Sequence, residues 1–359
     1  MDLFEAGERL VMERLKLAVV GVGALGRHHA RILSNNADVE LVAVADPNES
    51  QGRAVAESCH CEWTPDYRTL LGRVDAASIV VPTGMHAEVA ANFLRRSTPV
   101  LVEKPLAADT EEGRLLVRLA NEHRVPIQVG HIERFNPAFE VLDRLITKPR
   151  YLRAERFSPY AFRSMDISVV HDLMIHDIEL CLQVAGSPIA RVEAFGTSIA
   201  GGQEDGVQAR LTFESGCIAD LSALRVCPFF RRSLIAWTQV GCVHADLHER
   251  KVTCYRPGPR MENGERPFDV ARQPGVDIAG LKESMFTDFI AVEQPEIQPG
   301  VDALTAELAD FLNAVRTGES PRVDGRRGLA ALDVADRVLE AVREHKRPAV
   351  RLAPHTAAA

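Results

Sequence analysis

The sequence predicts an α/β N-terminal domain with a doubly wound parallel sheet, followed by an α+β C-terminal domain with a large, mostly antiparallel sheet. In the first half of the chain, short apolar runs alternate with helical patterns, which is typical of strands buried on both faces of a parallel sheet. Beyond about residue 150, longer segments of alternating apolar and polar residues indicate antiparallel strands. The predicted domains are residues 1–135 and 136–359, and the C-terminal helices can pack back on the first domain.

The first half contains apolar runs that are expected to form parallel strands, at residues 15–21, 41–45, 76–81, 100–102 and 127–129. Helical patterns separate these runs, at residues 27–35, 50–58, 86–96 and 110–123. Parallel strands need a crossover connection, which is usually a helix, so this order predicts repeated strand-helix-strand units.

The second half begins with a helix expected over residues 169–184, ahead of strands between residues 191 and 255. Glu214, Ser215 and Gly216 separate two alternating segments and predict the turn of a hairpin. Residues 256–275 are rich in proline, glycine and charge, so a surface loop is expected there. Two helices, at residues 303–316 and 328–344, are expected to finish the fold.

Composition excludes several classes of protein. A formal net charge of −8 without a basic run argues against nucleic-acid binding. No apolar window approaches the ~18 residues of a spanning helix, and the N-terminus is acidic where a signal peptide is basic. Seven scattered cysteines predict reduced thiols and a cytoplasmic protein. Cys59, His60 and Cys61 lack a second ligand pair, so no metal site is expected.

A glycine-rich turn follows the first predicted strand and opens a helix. Gly21, Gly23 and Gly26 have the spacing that allows a tight turn, close approach of a pyrophosphate, and close packing of helix on strand. The backbone of Ala24 and Leu25 completes this loop, and the helix N-terminus faces the phosphates. The motif therefore predicts a Rossmann dinucleotide-binding domain.

Asp46 stands at the end of the second predicted strand, 20 residues beyond Gly26. A carboxylate at this position accepts hydrogen bonds from the adenosine ribose hydroxyls and repels a 2′-phosphate. The sequence therefore favours NAD over NADP. Arg53 works against this preference, because a nearby arginine can pair with the negative charge of a 2′-phosphate.

Two further motifs carry catalytic side chains. Lys104 lies in Glu103-Lys104-Pro105, at the carboxyl end of a parallel strand, where ligands bind in such sheets. Asp172 and His176 are four residues apart and would share one face of a helix, so that the carboxylate orients the imidazole for acid–base work. Each motif also has an ordinary structural interpretation, as a surface lysine or an incidental histidine.

The combination and order of these motifs resembles the glucose-fructose oxidoreductase, inositol dehydrogenase and rhizopine catabolism (Gfo/Idh/MocA) family of sugar dehydrogenases. The resemblance covers residues 15–347. It implies that Lys104, Asp172 and His176 line the active site. The same resemblance places four more residues near the cofactor, namely Pro82, Thr83, His86 and Glu103. It also implies a homodimer or homotetramer, with the large sheet often forming the interface.

The segment GHIERFNPAF at residues 130–139, together with the glycine-free approach at residues 167–171, resembles the branch acting on UDP-N-acetylhexosamines. This implies oxidation of the 3-hydroxyl of UDP-N-acetylglucosamine to a 3-keto sugar for an aminotransferase that uses pyridoxal phosphate (PLP), leading to 2,3-diamino-sugar lipid A. Arg134, Asn136 and Arg163 are candidate substrate contacts, since arginine suits a diphosphate. Their alternatives are surface charge and, for Asn136 before Pro137, a helix cap.

The mechanism expected from these residues is hydride transfer from the sugar to NAD⁺. His176 would take the hydroxyl proton with Asp172 orienting its ring, and Lys104 would stabilise charge on the oxygen, although either side chain could be the formal base. Alternative substrates are another nucleotide sugar, an inositol or a free sugar. A non-catalytic NAD-binding sensor is a further alternative that the presence of Lys104, Asp172 and His176 disfavours.

Overall fold

The computed structural model describes residues 13–162, 167–297, 300 and 302–346. These residues divide into two compact units. The first unit contains the described residues of Met1–Gly130 and Leu304–Leu329, and the second contains those of His131–Ala303 and Ala330–Ala359. In this part of the chain, no helix is both long enough and apolar enough to cross a membrane.

The strands are numbered in chain order: β1 Leu15–Val20, β2 Val39–Ala45, β3 Glu62–Thr64, β4 Ala76–Ile79, β5 Val100–Glu103, β6 Ile127–Gly130, β7 Tyr151–Phe157, β8 Ile189–Thr197, β9 Gly206–Phe213, β10 Ile218–Leu224, β11 Arg231–Trp237, β12 Cys242–Asp246, β13 Lys251–Pro257 and β14 Ile290–Glu293. The helices are α1 Gly26–Ser34, α2 Glu49–Cys59, α3 His86–Leu94, α4 Thr110–His123, α5 Pro137–Leu145, α6 Ile175–Ala185, α7 Pro259–Glu262, α8 Pro267–Ala271, α9 Ile278–Ser284, α10 Ala303–Thr317 and α11 Gly325–Lys346.

The first unit is built on a six-stranded sheet in the order β3-β2-β1-β4-β5-β6, in which every pair is parallel. The strand order reverses between β1 and β4, so this edge is the switch point at which ligands bind in doubly wound sheets. All four residues of β4 are buried, which explains its continuous apolar run. The parallel sheet confirms the predicted fold class, while the three-residue edge strand β3 was too short to be predicted.

The second unit is built on an eight-stranded sheet in the order β14-β13-β12-β11-β7-β10-β9-β8. Its pairs are antiparallel except for β7 with β10, which confirms the predicted mostly antiparallel sheet. The turn predicted at Glu214–Gly216 joins β9 to β10, with Gly216 at φ +81°.

Strand β7 lies inside this sheet but was not predicted from the sequence. Its inward face carries Leu152, Ala154 and Arg156, and all three side chains are buried. A buried arginine interrupts the apolar alternation by which a strand is recognised, so the pattern failed at this position. Helix α6 packs against β7 and β10 within the same unit.

Three local expectations need correction. The expected loop at residues 256–275 contains the short helices α7 and α8. The helix expected from residue 169 begins as a π turn over Val170–Met174, before α6. Helix α11 begins at Gly325 rather than at residue 328, because Asp324 accepts a hydrogen bond from the Arg327 amide and caps the helix.

Candidate active site

The glycine-rich turn has a separate physical reason for each glycine. Gly21 has φ +83°, and a Cβ there would lie 2.6 Å from the Val80 carbonyl oxygen. A Cβ on Gly26 would overlap the Gly21 carbonyl oxygen. A Cβ on Gly23 would meet no protein atom closer than Gln51 Nε2 at 3.9 Å, so packing does not require glycine there. Glycine at this position instead leaves the backbone open to a ligand, and a bound pyrophosphate needs such close approach.

Helix α1 begins next to this turn without a side-chain cap. Leu25 holds the cap position and makes no side-chain hydrogen bond, while Ala24 and Leu25 are exposed. The amides of Arg27 and His28 donate to the main-chain oxygens of Gly23 and Leu25, so a phosphate would be met by the turn ahead of them, at the positive end of the helix. The turn and the helix start together fit a dinucleotide.

Asp46 follows β2 and anchors the same turn. Its Oδ2 accepts a hydrogen bond from the Val22 amide at 2.9 Å, and its Oδ1 accepts one from the Asn48 amide at 2.9 Å. These bonds hold the carboxylate at the end of β2, beside the glycine-rich turn, and the ribose contact expected of it stays a prediction.

Arg53 is engaged by other groups in the same unit. Its Nε donates to Glu49 Oε1 at 2.8 Å, and its guanidinium lies 4.4 Å from the centre of the Trp63 ring. Trp63 in turn donates from Nε1 to the Asp46 carbonyl oxygen at 3.1 Å. Both partners of the Arg53–Glu49 pair are exposed, and such surface pairs are weak, so these contacts reduce but do not remove the objection to an NAD preference.

Glu103 closes β5 within a buried polar cluster. Its Oε1 lies 3.2 Å from His29 Nε2, and His29 Nδ1 lies 2.9 Å from Ser78 Oγ. Its Oε2 accepts a hydrogen bond from the Lys104 amide at 3.3 Å. A Cβ on Gly130 would lie 2.7 Å from the carboxyl carbon, so any side chain there would displace this carboxylate. The cluster therefore fixes the backbone from which Lys104 projects.

Glu307 on α10 is a second buried acid of the first unit. Neither of its carboxyl oxygens has a hydrogen-bond partner among the described residues. Its main-chain oxygen accepts a bond from Gln128 Nε2 at 2.9 Å. Burial, and then the charges of Glu103 and Asp310, raise the pKa of Glu307 well above its usual range. Burial thus favours the neutral, protonated form of this side chain.

The segment after β4 carries three residues that the resemblance placed near the cofactor. Pro82 is exposed and Thr83 is half-buried, and both follow β4 at the switch-point edge of the sheet. His86 differs from them, since it is 1% exposed. Its ring nitrogens lie within hydrogen-bond distance of the carbonyl oxygens of Val81 and Pro105.

The second unit carries the proposed acid–base pair. Asp172 lies on the π turn and His176 on the first turn of α6, and both are half-buried. A π turn is wider than an α turn and is often found at functional sites. The His131 ring is buried and meets the His176 ring edge to face, with centres 6.0 Å apart. His171 lies elsewhere, with Nε2 3.0 Å from Asp336 Oδ1.

A buried ion network fixes the helix that carries His176. Arg156 donates to Asp177 Oδ1 at 2.7 Å, to Asp177 Oδ2 at 3.0 Å and to Glu133 Oε1 at 2.8 Å. Burial alone would lower the pKa of Arg156, but the carboxylates of Asp177 and Glu133 raise it. Asp177 is therefore tied to β7, which anchors the first turn of the helix that carries His176.

The three predicted substrate contacts have different surroundings. Arg134 is buried, and its Nη1 donates to Glu179 Oε1 at 2.6 Å. Asn136 caps α5 by accepting the Ala138 amide at 3.0 Å, so the helix-cap interpretation describes its position. Its Nδ2 also donates to the Leu247 carbonyl oxygen and to Glu133. Arg163 lies outside the described residues.

Comparisons with known proteins match both units. Residues 15–131 match the oxidoreductase family with an NAD-binding Rossmann fold, and residues 148–241 match the GFO/IDH/MocA C-terminal domain. A UDP-N-acetylglucosamine 3-dehydrogenase of Acidithiobacillus ferrooxidans is 34% identical over 92% of this chain and 98% of its own length. The chain belongs to the Gfo/Idh/MocA family.

A second curated relative and a solved structure also match over nearly the whole chain. Inositol 2-dehydrogenase of Rhizobium meliloti is 26% identical over 92% of this chain and 98% of its own length. The structure of UDP-N-acetylglucosamine 3-dehydrogenase GnnA from Acidithiobacillus ferrooxidans superposes with a TM-score of 0.81 at 33% identity, covering 93% of this chain and 99% of that one. This Gfo/Idh/MocA protein is thus an NAD-dependent oxidoreductase of the sugar dehydrogenase type.

Three buried polar residues that adjoin predicted site residues were missed by sequence reasoning: His131 beside His176, and His29 and Glu307 beside Glu103. His131 had a signal, because it directly follows β6 in the segment GHIERFNPAF. His29 and Glu307 had only weak signals, as polar residues on the inner faces of helices. Among the described residues, no group of metal-ligating side chains is arranged to hold a metal ion. Burial raises the pKa of the Cys61 thiol to about 12, which disfavours the metal-binding thiolate.

Proposed function

We propose that the enzyme oxidises the 3-hydroxyl of UDP-N-acetylglucosamine to the 3-keto sugar with NAD⁺. The observation that carries this proposal is the similarity along nearly the whole chain to a UDP-N-acetylglucosamine 3-dehydrogenase, at 34% identity and a TM-score of 0.81. Inositol 2-dehydrogenase of Rhizobium meliloti reaches 26% over the same share of the chain. The difference favours the nucleotide sugar over inositol.

In the proposed mechanism, His176 accepts the proton of the substrate hydroxyl as the C3 hydride leaves. Asp172 orients the imidazole and supports its charged form. Lys104 donates a hydrogen bond to the same oxygen and stabilises the negative charge that develops there. Because both side chains can hold a proton, Lys104 is the alternative base. The turn from Gly21 to Gly26, together with Asp46, would hold NAD⁺, which when bound would supply the hydride acceptor.

Two buried networks support these roles. The Glu103 cluster fixes the backbone amide of Lys104, and the Arg156 network fixes Asp177 next to His176. Catalytic groups must be held within a fraction of an ångström, since a displacement of ~1 Å can cost about 100-fold in rate. Arg134 and Arg163 are the proposed contacts for the diphosphate, and Asn136 is a proposed substrate contact that also caps α5.

We further propose a cytoplasmic homo-oligomer, a dimer or a tetramer, whose product feeds an aminotransferase that uses PLP. All seven cysteines are free thiols, as expected in a reducing compartment. The outer face of the large sheet exposes Phe195 and Trp237, which suits a partner subunit. A 3-keto sugar is a substrate for transamination, so removing it would also pull the oxidation forward.

The test is NADH formation by purified enzyme with NAD⁺ and a panel of substrates. The panel contains UDP-N-acetylglucosamine, its uronate, UDP-N-acetylgalactosamine, myo-inositol and glucose. An aminotransferase with glutamate is included, because it removes a ketone whose formation is unfavourable. Activity confined to UDP-N-acetylglucosamine supports the proposal. Activity confined to inositol or a free sugar contradicts the substrate, and silence throughout favours a non-catalytic NAD-binding role.

A further inference from the structure

His86 links two loops of the first unit through its ring. It is the first residue of α3 and is 1% exposed. Its Nδ1 lies 2.8 Å from the carbonyl oxygen of Pro105, the residue after Lys104. Its Nε2 lies 2.9 Å from the carbonyl oxygen of Val81, the residue before Pro82. One side chain thus spans the loop that follows β4 and the loop that follows β5.

Both acceptors are carbonyl oxygens, and this determines which form of the ring fits. A carbonyl oxygen can only accept a hydrogen bond, whereas a neutral imidazole has a single N–H to donate. The imidazolium has two and satisfies Val81 and Pro105 together. In the neutral ring, one nitrogen lone pair faces a carbonyl lone pair at under 3 Å, and that contact is repulsive. The two-sided contact is therefore complete only in the protonated ring.

The charged groups around the ring oppose each other. Helix α3 packs against β4, β5, α4 and the turn Thr83–Met85, and the charged groups that act on the ring are Glu103 and Lys104. Burial lowers the pKa of His86, whereas the two carbonyl oxygens and Glu103 oppose this effect and Lys104 adds to it. Because the net effect lowers the pKa of His86, the protonated ring is favoured only at acidic pH.

We propose that His86 is a positioning residue for Lys104, and that its ring binds the Lys104–Pro105 loop to the Val81–Pro82 loop most firmly when it is doubly protonated. This role differs from a direct contact with the cofactor, because both ring nitrogens face main-chain oxygens. The inference rests on the proposed function in that Lys104 acts on the substrate oxygen. His86 acts only through the backbone of Pro105.

The first test compares His86→Gln and His86→Leu with the control His123→Gln, which changes a partly exposed histidine on α4 whose ring contacts Ser97. Glutamine keeps an N–H donor for one carbonyl, whereas leucine keeps none. We expect kcat to fall about 10-fold for glutamine and about 100-fold for leucine, as misplaced catalytic groups do. The KM for NAD⁺ should stay within about threefold, and the control should match wild type.

The pH dependence separates positioning from a general loss of structure. The ratio of wild-type kcat to His86→Gln kcat cancels the titration of the base that both enzymes share. We expect this ratio to be largest at acidic pH, where both wild-type contacts form, and to decrease as the pH rises and the ring loses one proton. A ratio that is independent of pH, or a KM for NAD⁺ that rises as much as kcat falls, would overturn the proposal.

The ring itself can be observed without any substrate. Nitrogen NMR of wild-type enzyme labelled in histidine, with His86 assigned by its absence in His86→Gln, reports the protonation of each ring nitrogen. We expect two protonated nitrogens at acidic pH and one at alkaline pH. A ring that is neutral at every pH would overturn the proposal that the protonated ring joins the two loops. If the ring titrates as expected but no sugar is oxidised, the proposed function is wrong, while the link that His86 makes between the two loops is supported.

Discussion

The carboxylate of Glu103 fills the space that a side chain at Gly130 would need. Strands β5 and β6 are neighbours, and their last residues are paired in register. A Cβ on Gly130 would lie 2.7 Å from both the carboxyl carbon and Oε1 of Glu103. The strand end that presents Lys104 therefore depends on a residue in the next strand that has no side chain.

Gly130→Ala should displace Glu103 and with it the amide of Lys104. We expect a loss of roughly 1–3 kcal/mol in unfolding free energy, as for other overpacked sites, and a decrease in kcat of more than about tenfold. Urea unfolding and steady-state kinetics measure the two effects. For stability, the matched control is Gly84→Ala, whose Cβ would meet no atom within 4 Å. Equal stability of the two variants would contradict the predicted clash between a side chain at position 130 and the Glu103 carboxylate.

His176→Ala should lower kcat by about 100- to 10,000-fold, because it removes the proposed general base. Binding of NAD⁺, measured by fluorescence titration, should change little, because the glycine turn and Asp46 are intact. His171→Ala is the control, since that ring contacts Asp336 and has no proposed role in catalysis. If His176→Ala kept near-normal kcat, Lys104 would become the preferred base.

Asp46→Ala should weaken NAD⁺ binding and relax discrimination against NADP⁺. A hydrogen bond to a charged group contributes about 1.5–3 kcal/mol, so the ratio of kcat/KM for NAD⁺ over NADP⁺ should fall roughly 10- to 100-fold. Arg53→Gln is the control and should leave the ratio unchanged, because Arg53 is engaged by Glu49 and Trp63. An unchanged ratio for Asp46→Ala would refute the ribose contact.

Arg156→Met should leave Asp177 and Glu133 buried without their cation. We expect the variant to lose about 3–5 kcal/mol of unfolding free energy at neutral pH. The deficit should shrink as the pH falls, because the folded variant then binds protons on these carboxylates that the unfolded chain does not yet hold. Arg153→Met on the same strand is the control. That residue is exposed and paired with Glu155, so its loss should cost about 0–1 kcal/mol.

Glu307→Gln should stabilise the protein at neutral pH. In the folded state the pKa of Glu307 is raised, whereas the unfolded chain ionises near its ordinary value, so the wild type loses stability as the pH rises above that value. Glutamine removes this penalty, and we expect a gain of roughly 1–3 kcal/mol, the cost of burying such a group. The gain should vanish at low pH, where both states are protonated. Thermal unfolding at several pH values tests this, with exposed Glu319→Gln as the control.

The fold could be predicted from local patterns where those patterns are uninterrupted. Strand β4 is buried on both faces and is recognisable as a continuous apolar run. Strand β7 could not be recognised from its apolar pattern, because Arg156 occupies a position on its inner face where an apolar residue is expected. A hydropathy pattern scores Arg156 as an exposed residue. Its burial depends on ion pairs with Asp177 and Glu133, which lie on other segments of the chain.

Part of the candidate site was open to sequence reasoning and part was not. The spacing of Gly21, Gly23 and Gly26 identifies a nucleotide turn, although the Val80 carbonyl oxygen that crowds Gly21 is distant in the sequence. The sequence does not decide whether Asn136 contacts the substrate or caps a helix. Its hydrogen bond to the Leu247 carbonyl oxygen connects positions 111 residues apart, which no local motif could reveal.

By itself, the sequence determined the order of a parallel and then an antiparallel sheet, the Gfo/Idh/MocA family and the NAD cofactor. The sheet order follows from periodicity, the cofactor from the spacing of the glycines and Asp46, and the family from the resemblance that the combined motifs carry. Only the tertiary structure decided which polar groups are buried together: His29 with Ser78 and Glu103, and His86 with two carbonyl oxygens. The physical reason is that strand order brings these groups within ~3 Å, where burial makes their charge and protonation matter.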